Sequence, residues 1–139
     1  MKIFKTIPLF GVMLVAYTLI LAGFYYTDPK PEVHPMDYAI TSIMLPSQQS
    51  WTLRVGDLVV VFGLLLLSAE ILKSTNFSDT SIFEHLLSTF VFIFYIIAFL
   101  LAPMVANSTF LILTMMSLID VVAGITVAIN TARRDFTVG

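Results

Sequence analysis

The run from Phe110 to Ile129 is as long as a bilayer core is thick, and its only charged residue is Asp120. About 20 residues at ~1.5 Å rise cover the ~30 Å of hydrocarbon. Hydrocarbon offers the backbone no hydrogen-bond partners, so a lone apolar run of this length has to be an α-helix. Three earlier runs have the same character, and the four spans fall at about residues 6–26, 53–73, 82–105 and 108–131. The chain therefore reads as all-α: one integral membrane domain over residues 1–139, a four-helix transmembrane bundle with one longer outer loop over 27–52.

Composition agrees. Of 139 residues, 58% are hydrophobic and 12% charged, and mean hydropathy is +0.96. A soluble domain carries about 25% charged residues. The first run follows Lys2 and Lys5 as a signal peptide would. It is longer than a typical signal core, and Leu21-Ala22-Gly23-Phe24 is a poor cleavage site, so it reads as a membrane helix.

Basic residues set the orientation. Lys2, Lys5, Lys73, Arg133 and Arg134 fall on one side of a four-span chain, Lys30 and Arg54 on the other. The positive-inside rule then puts both termini in the cytoplasm, in a multi-pass protein of a bacterial inner membrane. Trp51 and the pair Tyr25-Tyr26 mark the outer interface, and Trp51, Arg54, Lys73, Arg133 and Arg134 are read as interfacial anchors. The sequence Arg133-Arg134-Asp135 closes the last helix as a cytoplasmic anchor first and a lipid-phosphate or partner contact second.

Local signals place some boundaries. Pro8 suits the first turn of helix 1. Ser81-Ile82-Phe83-Glu84 is a capping-box pattern at the start of helix 3, and Pro103 ends or bends that helix. The segment Tyr38 to Leu45 is apolar but too short to span. It reads as an interfacial helix or a flap over the outer bundle end, and its period does not separate the two.

Each helix carries a stripe of small or polar residues at helical spacing. Helix 4 has Ser117, Asp120, Gly124, Ala128 and Thr131, and helix 2 has Gly56, Gly63 and Glu70. Helix 3 has Ser88, Tyr95, Ala98 and Ala102, and helix 1 has Gly11, Thr18, Ala22 and Tyr25. Small residues let membrane helices approach closely, so Gly56, Gly63, Gly124 and Ala128 are the expected packing positions.

A carboxylate at mid-membrane costs at least ~2.5–3.5 kcal/mol on insertion scales and normally faces protein or a water path. Asp120 is the first candidate site residue. By position along their spans, Tyr17, Gly63 and Tyr95 share its depth, and either tyrosine is a candidate hydrogen-bond donor to it. Glu70 lies nearer the cytoplasm, within reach of Lys73, and reads as solvated there. Asp120 and Glu70 together make a candidate intramembrane proton site, since a desolvated carboxyl favours its neutral form. The plainer reading is a hydrogen-bonded Asp120 that fixes packing or docks a partner's cation.

Other chemistry finds little support. The chain has no Cys, and its two His, His34 and His85, fall on opposite sides of the membrane. No metal set, cofactor box, nucleophile pair or phosphate loop is expected. With net charge −2 and no basic tract, nucleic acid is an unsuitable partner. The expectation is a non-enzymatic accessory or structural subunit of a larger inner-membrane complex, or a homo-oligomer, whose partners are membrane lipids and other membrane chains. The alternative is a small proton- or ion-coupled transporter or channel using Asp120 and Glu70.

The orientation is checked by reporter fusions at Gly139 and within residues 29–46. They should report opposite sides of the membrane, the Gly139 fusion cytoplasmic; the same side for both contradicts the four-span reading.

Overall fold

The structure, a computed structural model, describes residues 6–75 and 81–138. Lys2, Lys5, residues 76–80 and the side chains of Ser81, Asp135 and Val138 lie outside the described residues, and the capping pattern expected at Ser81 and the Asp135 part of the anchor expected at the end of α4 lie there with them. The described chain is mostly helical: α1 is Leu9–Thr27, α2 Val55–Ser74, α3 Ser81–Leu101 and α4 Ser108–Val138. All four are long and apolar enough to cross a membrane. Below, the terminal end is where α1 begins and α4 finishes, and the hairpin end is the opposite one.

Local chemistry sets the helix limits. The residue before Pro103 is pushed out of helical geometry, and Ala102 is extended at φ −106°, ψ 104°. Helix α3 therefore stops at Leu101, short of the expected 105, and a 3₁₀ turn follows at Pro103–Val105. Asn107 then starts α4, its Oδ1 accepting from the Phe110 N–H at 2.9 Å. At the head of α2, Asp57 Oδ2 accepts from the Arg54 N–H at 2.8 Å and covers one of the amides a helix start leaves open. Helix α4 continues past the expected 131 to Val138.

The outer loop is not an interfacial helix. After a 3₁₀ turn at Pro35–Asp37 it forms an antiparallel hairpin, β1 Ala39–Met44 with β2 Ser50–Arg54. Ile43 faces Trp51 and Ser42 faces Thr52, whose hydroxyls are 3.1 Å apart. Pro46 presets the turn, and Gln48 takes a left-handed φ of 61° to close it. The hairpin is tied to the bundle where the Val55 N–H donates to the Tyr38 carbonyl at 3.0 Å. Strand pairing through Arg54 delays α2, expected from Leu53, until Val55.

Helix α4 is the spine. Buried residues make up 44% of its apolar span, against 22% in α1 and α2 and 6% in α3. Its buried side chains are Phe110, Leu113, Thr114, Met116, Ser117, Asp120 and Val121, one face at helical spacing. Helices α2 and α3 pack along it, and α1 lies more lightly across both. The face expected for α1 needs correction. Thr18 and Ala22 are exposed, and the buried residues are Phe10, Met13, Tyr17 and Leu21. Gly11 and Tyr25 of that face do pack, since a Cβ on Gly11 would stand 3.1 Å from Val91 Cγ2 of α3, and the rest of the contact is made by large side chains.

The glycines on α2 do mark close approaches. A Cβ on Gly63 would stand 2.7 Å from Leu113 Cδ2 and 3.0 Å from Met116 Sδ of α4. One on Gly56 would stand 2.4 Å from Thr109 Oγ1 and 3.0 Å from the Met36 carbonyl oxygen. Because that carbonyl is backbone, Gly56→Ala should destabilise, by about 1–3 kcal/mol as overpacking typically does. Gly63→Leu should cost at least as much, whereas Gly23→Ala, with nothing within 4 Å, should be neutral. Thermal unfolding in detergent checks the ranking; equal melting temperatures for all three would contradict these approaches.

Candidate functional site

Buried polar side chains of the described bundle form two clusters, with Thr114, Ser117 and the Tyr95 hydroxyl between them. The larger group is at the terminal end. Asp120 of α4 is only 6% exposed, and Glu70 of α2 only 5%. Asp120 is hydrogen-bonded by the Ser88 hydroxyl of α3. His85, one turn before Ser88, packs its ring on Gly124: a Cβ there would stand 2.4 Å from His85 Nδ1. Gly124 thus gives α3 a polar ring where any other residue would hold it off.

Glu70 does something the sequence reading did not anticipate. Pro8, which precedes α1, offers no side-chain cap, and the first turn of α1 holds no acid. Glu70 Oε1 accepts the Leu9 N–H instead. A carboxylate from a neighbouring helix thereby caps α1 and places negative charge at its positive end. Lys73 sits 3.6 Å from Glu70 Oε2 and donates to the Ile7 carbonyl at 3.3 Å. Two residues one turn apart on α2 therefore hold the start of α1 by its own backbone. The expected solvated Glu70 is corrected: its side chain is buried against the start of α1 and Lys73. Around these groups lies a cavity of about 20 Å³ lined by Glu70, Lys73, His85, Ser88 and Asp120. That is room for about one water, with polar partners on several sides.

The second group is at the hairpin end. Because Asn107 Oδ1 is committed to the Phe110 N–H, its Nδ2 faces Tyr17 and donates to the Tyr17 oxygen at 3.0 Å. His34 Nδ1 accepts from the Met36 N–H at 3.2 Å, so Nε2 carries the hydrogen and donates to the Met104 carbonyl at 2.9 Å. This ties the 3₁₀ turn before the hairpin to the α3–α4 connection. Sequence reading gave Asn107 and His34 no such role. Asn107 before Ser108-Thr109-Phe110 is a readable N-cap signal. The His34 contact, to a residue 70 positions away, leaves no local trace.

The candidate tyrosines are not partners of Asp120. Tyr17 belongs to the hairpin-end group, and the Tyr95 hydroxyl donates to the Phe10 carbonyl at 3.1 Å. Between the two groups lies an apolar layer. Phe10, Tyr95, Phe110 and Leu113 are fully buried there, with Met116 and Leu67 nearly so. Phe110 is its hub, with ring centroids 5.2 Å from Tyr95, 5.3 Å from Tyr17 and 6.4 Å from Phe99.

The remaining candidates lie apart from both groups. Arg54 Nη1 is 3.8 Å from Asp37 Oδ1 in an exposed pair, and Trp51 is half-exposed on the hairpin. Arg133 and Arg134 are exposed on the last turns of α4, and Ala128 lines an open groove between α3 and α4. Among the described residues, no group of three or more His, Asp or Glu side chains converges as metal ligands would.

No family model matches the chain, and neither a curated protein nor a solved structure matches it.

The cap is testable by two substitutions. Glu70→Ala removes the acceptor for the Leu9 N–H and should cost about 1–3 kcal/mol, the usual penalty for a buried polar group left without its partner. Glu70→Gln keeps an acceptor and loses the charge, so it should cost less. Thermal unfolding in detergent checks the order, and an Ala variant as stable as the parent would contradict the cap.

Proposed function

We propose that the chain is a non-enzymatic integral membrane protein that works through its lateral surface, as an accessory subunit of a larger membrane complex or as a homo-oligomer. In this reading both termini are cytoplasmic and the membrane is a bacterial inner membrane. The observation that carries it is the apolar layer around Phe110, which separates the two polar groups. Each group ties helices together, and between them the Thr114 and Tyr95 hydroxyls are turned onto the Phe110 and Phe10 carbonyls. What the molecule offers the membrane is surface, α3 above all. Phe83, Phe90 and Phe94 are exposed on that helix, and aromatic rings give large contact area with few rotors to freeze.

A second reading has one observation in its favour. Two buried carboxylates and a water-sized cavity make a site that a proton-coupled transporter or channel would use. It would need a path through the apolar layer, either by rearrangement or along an interface between copies.

The two readings separate on purified protein. On the subunit reading, mild-detergent extracts contain the chain with another membrane protein or as a defined homo-oligomer. A photocrosslinker at Phe94 then captures protein in native membranes. Reconstituted liposomes hold a pH gradient as well with the parent as with Asp120→Asn. Crosslinks to lipid alone, together with pH-driven flux that Asp120→Asn abolishes, would overturn this reading in favour of the transporter.

A further inference from the structure

The β1–β2 ribbon has two unlike faces. Its register sets Ile43 opposite Trp51 and Thr41 opposite Leu53 on one side, with Ser42 opposite Thr52 and Met44 opposite Ser50 on the other. Leu45, whose N–H donates to the Gln49 carbonyl at 2.9 Å, continues the first face. Ile43, Leu45 and Trp51 of that face are all exposed. The second face carries the paired hydroxyls of Ser42 and Thr52, and Met44 is its one large apolar side chain. Ile40 falls at the register shift, where the alternation breaks.

Residues 38–53 carry no charge. The charges that flank them, Asp37 and Arg54, stand at the root of the ribbon, 3.8 Å apart. A ribbon that projects into water is ordinarily guarded by Lys, other charges or Pro along its free edges. Here Pro46 in the turn is the only such residue between Tyr38 and Arg54. The root itself lies at the membrane. Strand β2 passes into α2 at Arg54 and Val55 with no residue between. The 20 residues of α2 match the hydrocarbon thickness, which puts Val55 at its edge. On the other strand, the Tyr38 ring lies 6.5 Å, centroid to centroid, from Phe24 in the last turn of α1. Both strands leave from the level where hydrocarbon gives way to headgroups.

We infer that the ribbon lies along the bilayer surface, with the face of Ile43, Leu45 and Trp51 against lipid and the face of Ser42 and Thr52 toward water. Its partner is the headgroup layer of the leaflet at the hairpin end. Continuity with the spans selects that partner. The ribbon is rooted at the bilayer, free of charge to its tip and apolar on one side, so lying flat gives each face the medium it suits. Standing upright would leave the apolar face in water. Depth is bounded too. Free sheet edges are not tolerated in hydrocarbon. The backbone therefore rests among the headgroups, where water reaches its edges, and the side chains enter below, as Trp does at membrane interfaces. This extends the anchor expected of Trp51 alone to the whole ribbon. It needs spans that cross a membrane and rests on neither reading of the function.

Trp51 is the one tryptophan of the chain, so its fluorescence tests the placement in the full chain reconstituted in phosphatidylcholine vesicles. Emission should be blue-shifted and quenched strongly by phosphatidylcholine brominated near the top of its acyl chain. Lipid brominated near the chain end should quench less, and iodide on both sides of the vesicle hardly at all. Two double variants move the reporter between faces. Trp51→Phe with Ile43→Trp should keep the lipid quenching, whereas Trp51→Phe with Ser42→Trp should lose most of it and gain quenching by iodide. Iodide quenching of Trp51 without lipid quenching would stand the ribbon in water and overturn the inference. Protection from both quenchers would put Trp51 against protein, a second copy in such vesicles, and overturn it as well. So would strongest quenching by the deep label, or equal behaviour of the two double variants. Melting temperatures near the parent's show that the variants are folded, and the parent's own quenching decides if one is not.

Discussion

Hydrocarbon supplies no hydrogen bonds, so every polar group carried into the membrane must find a partner within the protein. Much of this bundle follows from that condition. Buried side-chain nitrogens and oxygens among the described residues all have partners. Thr114 bonds back to the Phe110 carbonyl, Tyr95 reaches across to the Phe10 carbonyl, and Ser88 meets Asp120. The same condition acts on backbone. Helix α1 starts without a cap of its own, and the Leu9 N–H is met by Glu70 from α2. Burying a carboxylate there satisfies a helix terminus and its dipole together, so the residue that looks like a functional acid is also a structural tie.

Association of the helices has little hydrophobic drive once they are in lipid, so contact geometry decides the arrangement. Gly56 and Gly63 bring α2 against α4, and Gly124 brings α3 against it through His85. Two close approaches on α4 make it the spine and leave α3 largely uncovered. Helix α1 meets α3 tightly at Gly11, against Val91, and otherwise depends on the bulk of Phe10, Met13, Tyr17 and Leu21. The subunit proposal concerns the surface that this arrangement leaves open.

The four spans were legible because length and apolarity are summed over about 20 residues and tolerate local error. The α4 face was legible because Ser117, Asp120 and Gly124 stand out against Leu, Ile, Val and Met. The α1 face was legible in part: Gly11 and Tyr25 pack, but Thr18, Ala22 and Gly23 face outward while Met13, Tyr17 and Leu21 are buried. The hairpin was missed although Pro46 and polar residues up to Ser50 separate two short runs, Ile40–Ile43 and Trp51–Leu53, in a turn pattern. Over so short an apolar run the period does not separate helix from strand. Lys73 does stand beside Glu70 as its spacing on α2 implies, but the tyrosines expected at Asp120 do not reach it. Depth along a span says which residues share a level, but rotation about the helix axis decides which of them meet. Tyr95 and Tyr17 turn toward Phe110, and Ser88 turns toward Asp120.

Because the chain has no Cys, single cysteines report water access without background. The central claim is that an apolar layer separates two polar groups whose work is to tie helices. Cysteines placed singly at Asn130, Ser117, Thr114 and Asn107 sample α4 from one end to the other. Labelling with a membrane-impermeant maleimide in oriented vesicles should modify the Asn130 and Asn107 positions from opposite sides and leave Ser117→Cys and Thr114→Cys unmodified. Labelling that continues from Asn130 through Ser117 and Thr114 to Asn107 would reveal a water path through the bundle and contradict the account.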